Sequence, residues 1–176
     1  MPVKTQIKTI LFFILLVGCK SIKVDLQDQA FYTLLNTQYK SISKKEIPIF
    51  YKTINSNLGD IKDQIRFEKL NFNVTLSGER IVFENLMTQK DLDYLKAQIE
   101  GLGKSQIDPQ QLDFPVRLIR KKEVPYTYHF SQPFFTRNKE FAFIFRGKAS
   151  GGDSFIVFQK KEGQWSFLCE VVLSMV

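Results

Sequence analysis

The sequence predicts an α+β domain in which N-terminal helices pack on a C-terminal antiparallel β-sheet with meander topology. Three observations lead to this prediction: apolar residues recur at helical spacing in the first half, short apolar segments follow residue 116, and turn residues separate those segments. With 44% hydrophobic residues and 17 Phe, the 176 residues can build the core of one domain. Collagen-like and disordered classes are therefore excluded.

The N-terminus has the layout of a signal peptide. Lys4 and Lys8 precede an apolar run over residues 10–17, which is the order of charged and apolar regions in such peptides. A spanning helix needs about 20 apolar residues. This run is therefore too short for a permanent transmembrane helix.

The run ends in Leu16-Val17-Gly18-Cys19, which resembles the lipobox of bacterial lipoprotein signal peptides. The resemblance implies removal of residues 1–18 as a signal peptide, lipid attachment at Cys19, a short tether over residues 19–24 and a single domain over residues 25–176. We expect a lipid-anchored protein of the bacterial cell envelope, since acyl chains contribute about 0.8 kcal/mol per buried methylene. Lys20 replaces the Asp that retains some lipoproteins at the inner membrane. This favours the outer membrane and leaves the periplasmic and surface faces both open.

The first predicted elements of the domain are a helix and a strand. Residues 25–38 place Leu26, Ala30 and Leu34 at helical spacing after Asp25, a suitable N-cap. Residues 47–51 are short and apolar, and Pro48 lacks a donor for a central ladder. We therefore predict an edge strand there.

A hairpin is predicted at residues 71–83. Phe72, Val74 and Leu76 alternate with polar residues and are expected to face inward, and a turn at residues 77–79 leads to a second strand at residues 80–83.

The clearest predicted helix spans residues 88–99. Thr88 and Asp91 form a capping-box pattern, and the apolar stripe consists of Leu92, Leu95 and Ile99. Gly101 and Gly103 are expected to end this helix in left-handed conformations.

Five strands are predicted in the C-terminal part, at residues 116–121, 126–130, 141–146, 155–160 and 165–173. The third and fourth of them are apolar on both faces, so we expect helices to cover one side of the sheet. Alternation in the last strand places one group on a single face: Trp165, Phe167, Cys169, Val171 and Leu173. Cys169 is therefore predicted to be a buried, inert thiol.

The C-terminal half also resembles uncharacterised bacterial envelope lipoproteins, a family of unknown function. The resemblance lies in Ser131-Gln-Pro-Phe-Phe135 and in Lys160-Lys-Glu-Gly-Gln-Trp165, which are similar to a strand entry and a final hairpin of that group. It implies no catalytic residue. The Gly-x-Trp hairpin is also similar to one in nuclear-transport-factor-like cone folds.

Few residues are candidates for catalysis. His129 and Ser131 would share a strand face, and a Gly-Gly loop joins Ser150 to Asp153. A small hydrolase or ligand-binding cone using His129, Ser131, Ser150 and Asp153 is therefore the alternative function, although no Gly-x-Ser-x-Gly elbow is present. One His and no Cys-x-x-Cys spacing predict neither a metal nor another cofactor.

Basic residues are in excess over residues 114–150: Arg117, Arg120, Lys121, Lys122, Arg137, Lys139, Arg146 and Lys148. Such an excess attracts anionic lipid or envelope glycan, and we expect no nucleic-acid partner, because an exported, lipid-anchored protein seldom meets nucleic acid. The leading hypothesis is a lipid-anchored, noncatalytic binding or assembly module. Its expected partners are the membrane, through the N-terminal lipid, and an envelope protein or an anionic envelope lipid or glycan.

Overall fold

The computed structural model describes residues 26–41, 43–54, 61–121 and 125–174. The predicted signal peptide, Cys19, the tether and the predicted N-cap Asp25 lie outside these residues.

A mixed β-sheet of eight strands forms the centre of the domain. The strands are β1 (Ile47–Phe50), β2 (Asn73–Val74), β3 (Val116–Ile119), β4 (Tyr128–Phe130), β5 (Phe134–Phe135), β6 (Phe141–Lys148), β7 (Asp153–Lys161) and β8 (Gln164–Ser174). The order is β2-β8-β7-β6-β4-β1-β3, and β5 pairs with β6. Strands β6, β7 and β8 form the antiparallel meander, whereas β1 runs parallel to β3 and β4. The α+β class is confirmed, with a sheet that is mixed where an antiparallel one was expected.

Helices cover both faces of this sheet. The helices are α1 (Leu26–Tyr39), α2 (Phe67–Leu70) and α3 (Gln89–Gly101), and single 3-10 turns lie at Phe83–Asn85 and Pro109–Gln111. In β6, Ala142 and Ile144 pack with α1, and Phe143 and Phe145 pack with α3. The expectation of one covered side was wrong, because a strand that is apolar on both faces needs a layer on each.

The strand that contains Pro48 lies inside the sheet, between β3 and β4, so the prediction of an edge position was wrong. The N–H groups of Ile47 and Tyr51 donate to the β3 side. Alternation therefore turns Pro48 toward β4, where pairing starts at Ile49 with Tyr128. The missing N–H thus lies before the beginning of that ladder.

Helix α3 confirms the predicted start and buried stripe. The Thr88 backbone N–H and hydroxyl both donate to Asp91 Oδ2, at 2.9 and 2.7 Å, and Leu92, Leu95 and Ile99 are buried. The end differs from the prediction: Gly101 belongs to the helix, and the extended Leu102 follows it. Neither Gly101 nor Gly103 is among the residues of positive φ.

The segment after α2 inverts the predicted alternation. Phe72, Val74 and Leu76 are 49%, 57% and 85% exposed, whereas Asn73 is only 4% exposed. The Asn73 side chain donates to the Leu70 and Ile81 carbonyls and accepts from the Ile81 N–H, at 2.8–3.0 Å. Residues 80–83 therefore associate with β2 through a side chain and do not form the predicted second strand: residues 80–82 have no regular structure, and a 3-10 turn begins at Phe83.

A bulge changes the face of β8 partway along the strand. Val157 pairs with Cys169 but Phe158 pairs with Phe167, which leaves Leu168 as the extra residue. Trp165 and Phe167 consequently pack on the α1 side, and Cys169 on the α3 side. The single-face prediction was wrong, but Cys169 is fully buried. Burial, with a smaller effect of the Glu170 charge, raises the pKa of its thiol to about 12.

Candidate functional site: a cleft on the α1 face of the sheet

Ser131, the candidate nucleophile, is fully buried and its hydroxyl is engaged in structural hydrogen bonds. Its Oγ donates to the Gln132 carbonyl at 2.8 Å and accepts from the Phe145 N–H at 3.0 Å. The hydroxyl therefore stabilises the junction of β4, β5 and β6. This position does not support the attack on a substrate that the alternative function requires.

The sheet places two other candidates, His129 and Asp153, on one face but two strands apart. Register pairs His129 with Gly147 and Gly147 with Asp153, so the three residues form a row across β4, β6 and β7. Asp153 Oδ1 lies 3.1 Å from the position that a Cβ on Gly147 would occupy. The His129 ring packs on Phe50, with centroids 5.0 Å apart. Ser150 is exposed in the turn before β7, outside this row.

A cleft of about 400 Å³ opens on the opposite face of these strands. We call it the Arg146 cleft. Arg146 and Lys148 project from the end of β6, Ser154 lies beside Arg146 on β7, and Glu170 lies on β8. The remaining lining residues are Tyr128, Gly151, Gly152, Asp153, Val172 and Ser174.

Arg146 is fixed in the cleft by three neighbours. It forms an ion pair with Glu170, it donates to the Tyr39 hydroxyl at 3.3 Å, and its guanidinium lies 5.5 Å from the Tyr128 ring centroid. Burial would lower the pKa of Arg146, but Tyr39 and Glu170 outweigh that effect and raise it. The guanidinium therefore carries its charge in a half-buried position.

Two polar groups of the cleft face it without the usual partners. The Ser154 hydroxyl is buried and has no hydrogen-bond partner in the described structure, although buried hydroxyls in proteins are almost always bonded. Lys148 Nζ lies 5.1 Å from the Tyr126 ring centroid, and it forms no ion pair with a described carboxylate. Tyr126 adopts a φ of 65°, a left-handed conformation that is uncommon for a residue with a Cβ. Lys148 is therefore available to a ligand, and the Ser154 hydroxyl lies buried in the wall of the cleft.

An apolar depression of about 310 Å³ adjoins the cleft. The two spaces share Glu170 and Val172. The depression is otherwise lined by Gln38 at the end of α1, by Phe167, and by the exposed segment with Val74, Thr75 and Leu76. Charged and apolar surfaces therefore meet along β8.

The predicted basic region does not form one patch. Arg137 lies next to the N-terminus of α3, in the turn before β6. Ile49 pairs with Leu118 on one side and with Tyr128 on the other, and Tyr128 pairs with Lys148. Leu118 and Lys148 therefore share the α1 face of the sheet. Arg117, which precedes Leu118 in β3, lies on the other face. Arg117 is also near Glu46, at 3.6 Å. Of the members of this group that the structure describes, Arg146 and Lys148 line the cleft, and Lys122 lies outside the described residues.

A more open depression of about 510 Å³ lies at the start of α3. It is lined by Thr88, Lys90, Asp91, Arg137 and Asn138. The polar groups of Thr88 and Asp91 are already paired in the helix cap. The depression therefore belongs to the capping structure of the helix.

Within residues 26–41, 43–54, 61–121 and 125–174, no group of three or more His, Cys, Asp or Glu side chains is arranged to hold a metal ion. No helix in the same ranges has the length and apolar character needed to cross a bilayer.

Comparison with known proteins gave no relative. No family model, curated protein or solved structure matches the chain. The function must therefore be argued from the residues themselves.

Sequence reasoning missed most of the Arg146 cleft. It named Asp153 and the basic residues of β6, but Tyr128, Ser154 and Glu170 carry no motif. The one available signal was polar residues interrupting apolar strands, such as Arg146 after Phe141–Phe145 and Glu170 within residues 167–173. Their meeting depends on strand register, which the sequence pattern does not specify.

Proposed function

We propose that this chain is a lipid-anchored protein of the bacterial cell envelope and that its domain is a noncatalytic binding module. The outer membrane is the favoured location. The anchoring half of the proposal rests on the lipobox-like Leu16-Val17-Gly18-Cys19. The binding half rests on the Arg146 cleft.

The observation that carries the binding function is the buried hydroxyl of Ser154, which lacks a partner at the wall of a charged cleft. An unbonded buried hydroxyl costs about 1–3 kcal/mol. A bound polar group that reaches the hydroxyl after rotation of the Ser154 side chain toward the cleft would recover that free energy. The engaged hydroxyl of Ser131 argues against the hydrolase alternative.

Anchoring is tested by replacing Cys19 with Ala in the full chain and labelling cells with an alkyne-bearing fatty acid. The unmodified chain is expected to incorporate label and to partition into detergent, and the Cys19→Ala chain is expected to do neither. Cys169→Ala is the matched control, because Cys169 is buried and should not receive lipid. Equal labelling of the Cys19→Ala chain would contradict the anchoring proposal.

Binding is tested by crosslinking in cells, followed by mass spectrometry of the membrane fraction. The lipidated chain is expected to yield a reproducible adduct at residues of the Arg146 cleft. Lys148→Gln is expected to weaken that adduct, because one of the two positive charges that line the cleft is lost. Adducts confined to surfaces remote from the cleft would refute its assignment as the binding site.

A further inference from the structure

The Arg146 cleft and the apolar depression form one continuous surface, and this continuity identifies a class of ligand. We propose that they bind a single amphiphile, with its anionic headgroup at Arg146, Lys148 and Ser154 and its acyl chain over Val172 toward Leu76. The inference rests on the proposed binding function and specifies its ligand.

The headgroup end has an excess of positive charge. Arg146 and Lys148 face one carboxylate, that of Glu170. Asp153 borders the cleft, but its register partner is Gly147 and its Oδ1 lies over that residue, on the face opposite Arg146. The guanidinium has five N–H donors in a planar fork, and two described side chains, Tyr39 and Glu170, accept from it. A carboxylate or a phosphate group satisfies the remaining donors and the positive charge of Lys148.

The other end has exposed apolar surface that the fold leaves uncovered. Val74 and Leu76 point outward from β2 and the residues after it, beside Phe167 and Val172. Arg146 lies on β6 and Val74 on β2, three strand spacings apart, or about 14 Å. An acyl chain of ordinary length spans that distance. Large exposed apolar groups that cluster around a depression mark a binding surface.

A second copy of the chain fits this surface less well. Addition of a strand needs a free sheet edge, but the outer side of β2 is occupied by residues 81–83. Asn73 bonds to both backbone groups of Ile81, and Asn71 Oδ1 accepts from the Phe83 N–H at 2.8 Å. The surface instead changes from charged at Arg146 to apolar at Val74 and Leu76, which matches an amphiphile. A membrane surface supplies amphiphiles at high local concentration.

The test uses the mature lipidated chain in nanodiscs of phosphatidylcholine. Three probes carry a photoactivatable diazirine in the acyl chain: a fatty acid, a phosphatidic acid and an uncharged monoacylglycerol. After irradiation, the labelled peptides are mapped by mass spectrometry, and the intact mass of the N-terminal peptide reports lipidation at Cys19 separately. We expect the anionic probes to label the peptides that contain Leu76 and Val172, and the uncharged probe to label them about tenfold less.

Lys148→Gln is expected to reduce labelling by the anionic probes about tenfold, since it removes one charged donor. Lys161→Gln is the matched control, because Lys161 is exposed at the far end of β7, about 23 Å from Ser154. Leu76→Ser tests the apolar end with little risk to folding, given that Leu76 is 85% exposed, and is expected to reduce labelling at Val172.

The outcomes separate the possible ligands. Labelling by the fatty acid alone identifies a free carboxylate ligand, labelling by phosphatidic acid alone identifies a phospholipid, and labelling by both supports the shared chemistry. Equal labelling by the uncharged probe, or no effect of Lys148→Gln, would overturn the inference. A chain that is lipidated and crosslinks to a protein at the cleft, but takes no probe there, retains the proposed function and overturns only this assignment.

Discussion

Replacing Asn73 with Ala is expected to lower the free energy of unfolding by about 3 kcal/mol. The Asn73 side chain makes three hydrogen bonds of 2.8–3.0 Å, one to Leu70 and two to Ile81. Each contributes about 1 kcal/mol net, and the side chain is nearly fully buried, so solvent cannot replace it. The bonds also hold residues 80–83 against β2.

Asn73→Asp should be more damaging at neutral pH. It keeps the acceptor for the Ile81 N–H but places a buried charge against the Leu70 and Ile81 carbonyl oxygens. Burial and those oxygens raise the pKa of a carboxyl group in the folded state above its unfolded value of about 4. At pH values between the unfolded and the folded pKa, folding of the Asn73→Asp variant therefore takes up a proton. Its stability deficit relative to the unmodified chain is greatest above the folded pKa and shrinks as the pH falls toward 4.

Urea unfolding of the chain from Lys20 measures these effects, with fluorescence of the single Trp, Trp165, as the signal. Thr75→Ala is the control in the same segment. Its hydroxyl bonds to Ser77 and Glu79 but is exposed, so its loss is expected to cost less than about 1 kcal/mol. If Asn73→Ala cost no more than Thr75→Ala, the reasoning that a side chain replaces strand pairing here would be refuted.

Three further predictions concern single groups. Partial burial raises the pKa of Asp91, but hydrogen bonds from Thr88 and the charge of Arg137 outweigh that effect and lower the pKa. Asp91→Asn should therefore lower the free energy of unfolding by about 1 kcal/mol at pH 7. In urea titrations this loss should disappear as the pH falls through the lowered pKa, where the unmodified carboxylate also becomes protonated. Cys169, with its pKa of about 12, should react with a disulfide reagent at pH 8 only after unfolding, and rapid reaction of the folded chain would contradict its burial. Ser131→Ala should lower the free energy of unfolding by about 1–3 kcal/mol, because the Phe145 N–H loses its acceptor. The same variant should leave probe labelling at the Arg146 cleft unchanged. Lost labelling in a folded variant would connect Ser131 to the site.

Local signals in the sequence were sufficient to predict α3. Its capping pair and its apolar stripe lie within one segment, and interactions between neighbouring turns determine both. The strands of the meander were predicted for the same reason, since apolar runs and turn residues alternate there. These features need no knowledge of distant residues.

Tertiary context decided the features that were predicted wrongly. The alternation at Phe72, Val74 and Leu76 indicated a strand but not which face would be buried. The polar side chain of Asn73 faces the interior because the backbone of Ile81 supplies donor and acceptor groups for it. The bulge at Leu168 likewise changes the face of β8, and no sequence signal marks it.

The Arg146 cleft illustrates the same limit for the site. Its residues come from β4, β6, β7 and β8, and their proximity follows from the pairing of these strands. Sequence reasoning selected His129 and Ser131 because their spacing is short and their chemistry familiar. Among the buried polar groups without a partner in the described residues, the one that lines the cleft is Ser154 instead.

The two-sided cover of the sheet has a consequence for the order of folding during synthesis. Helix α1 is made early, yet Leu34 and Leu35 share their core with Ile156 and Phe158 of β7, which are made near the end. Contacts between such distant parts of a chain form slowly. Helix α1 must therefore wait, with its apolar face in water, until most of the chain has been made. A chain halted before β7 would hold an unfinished domain.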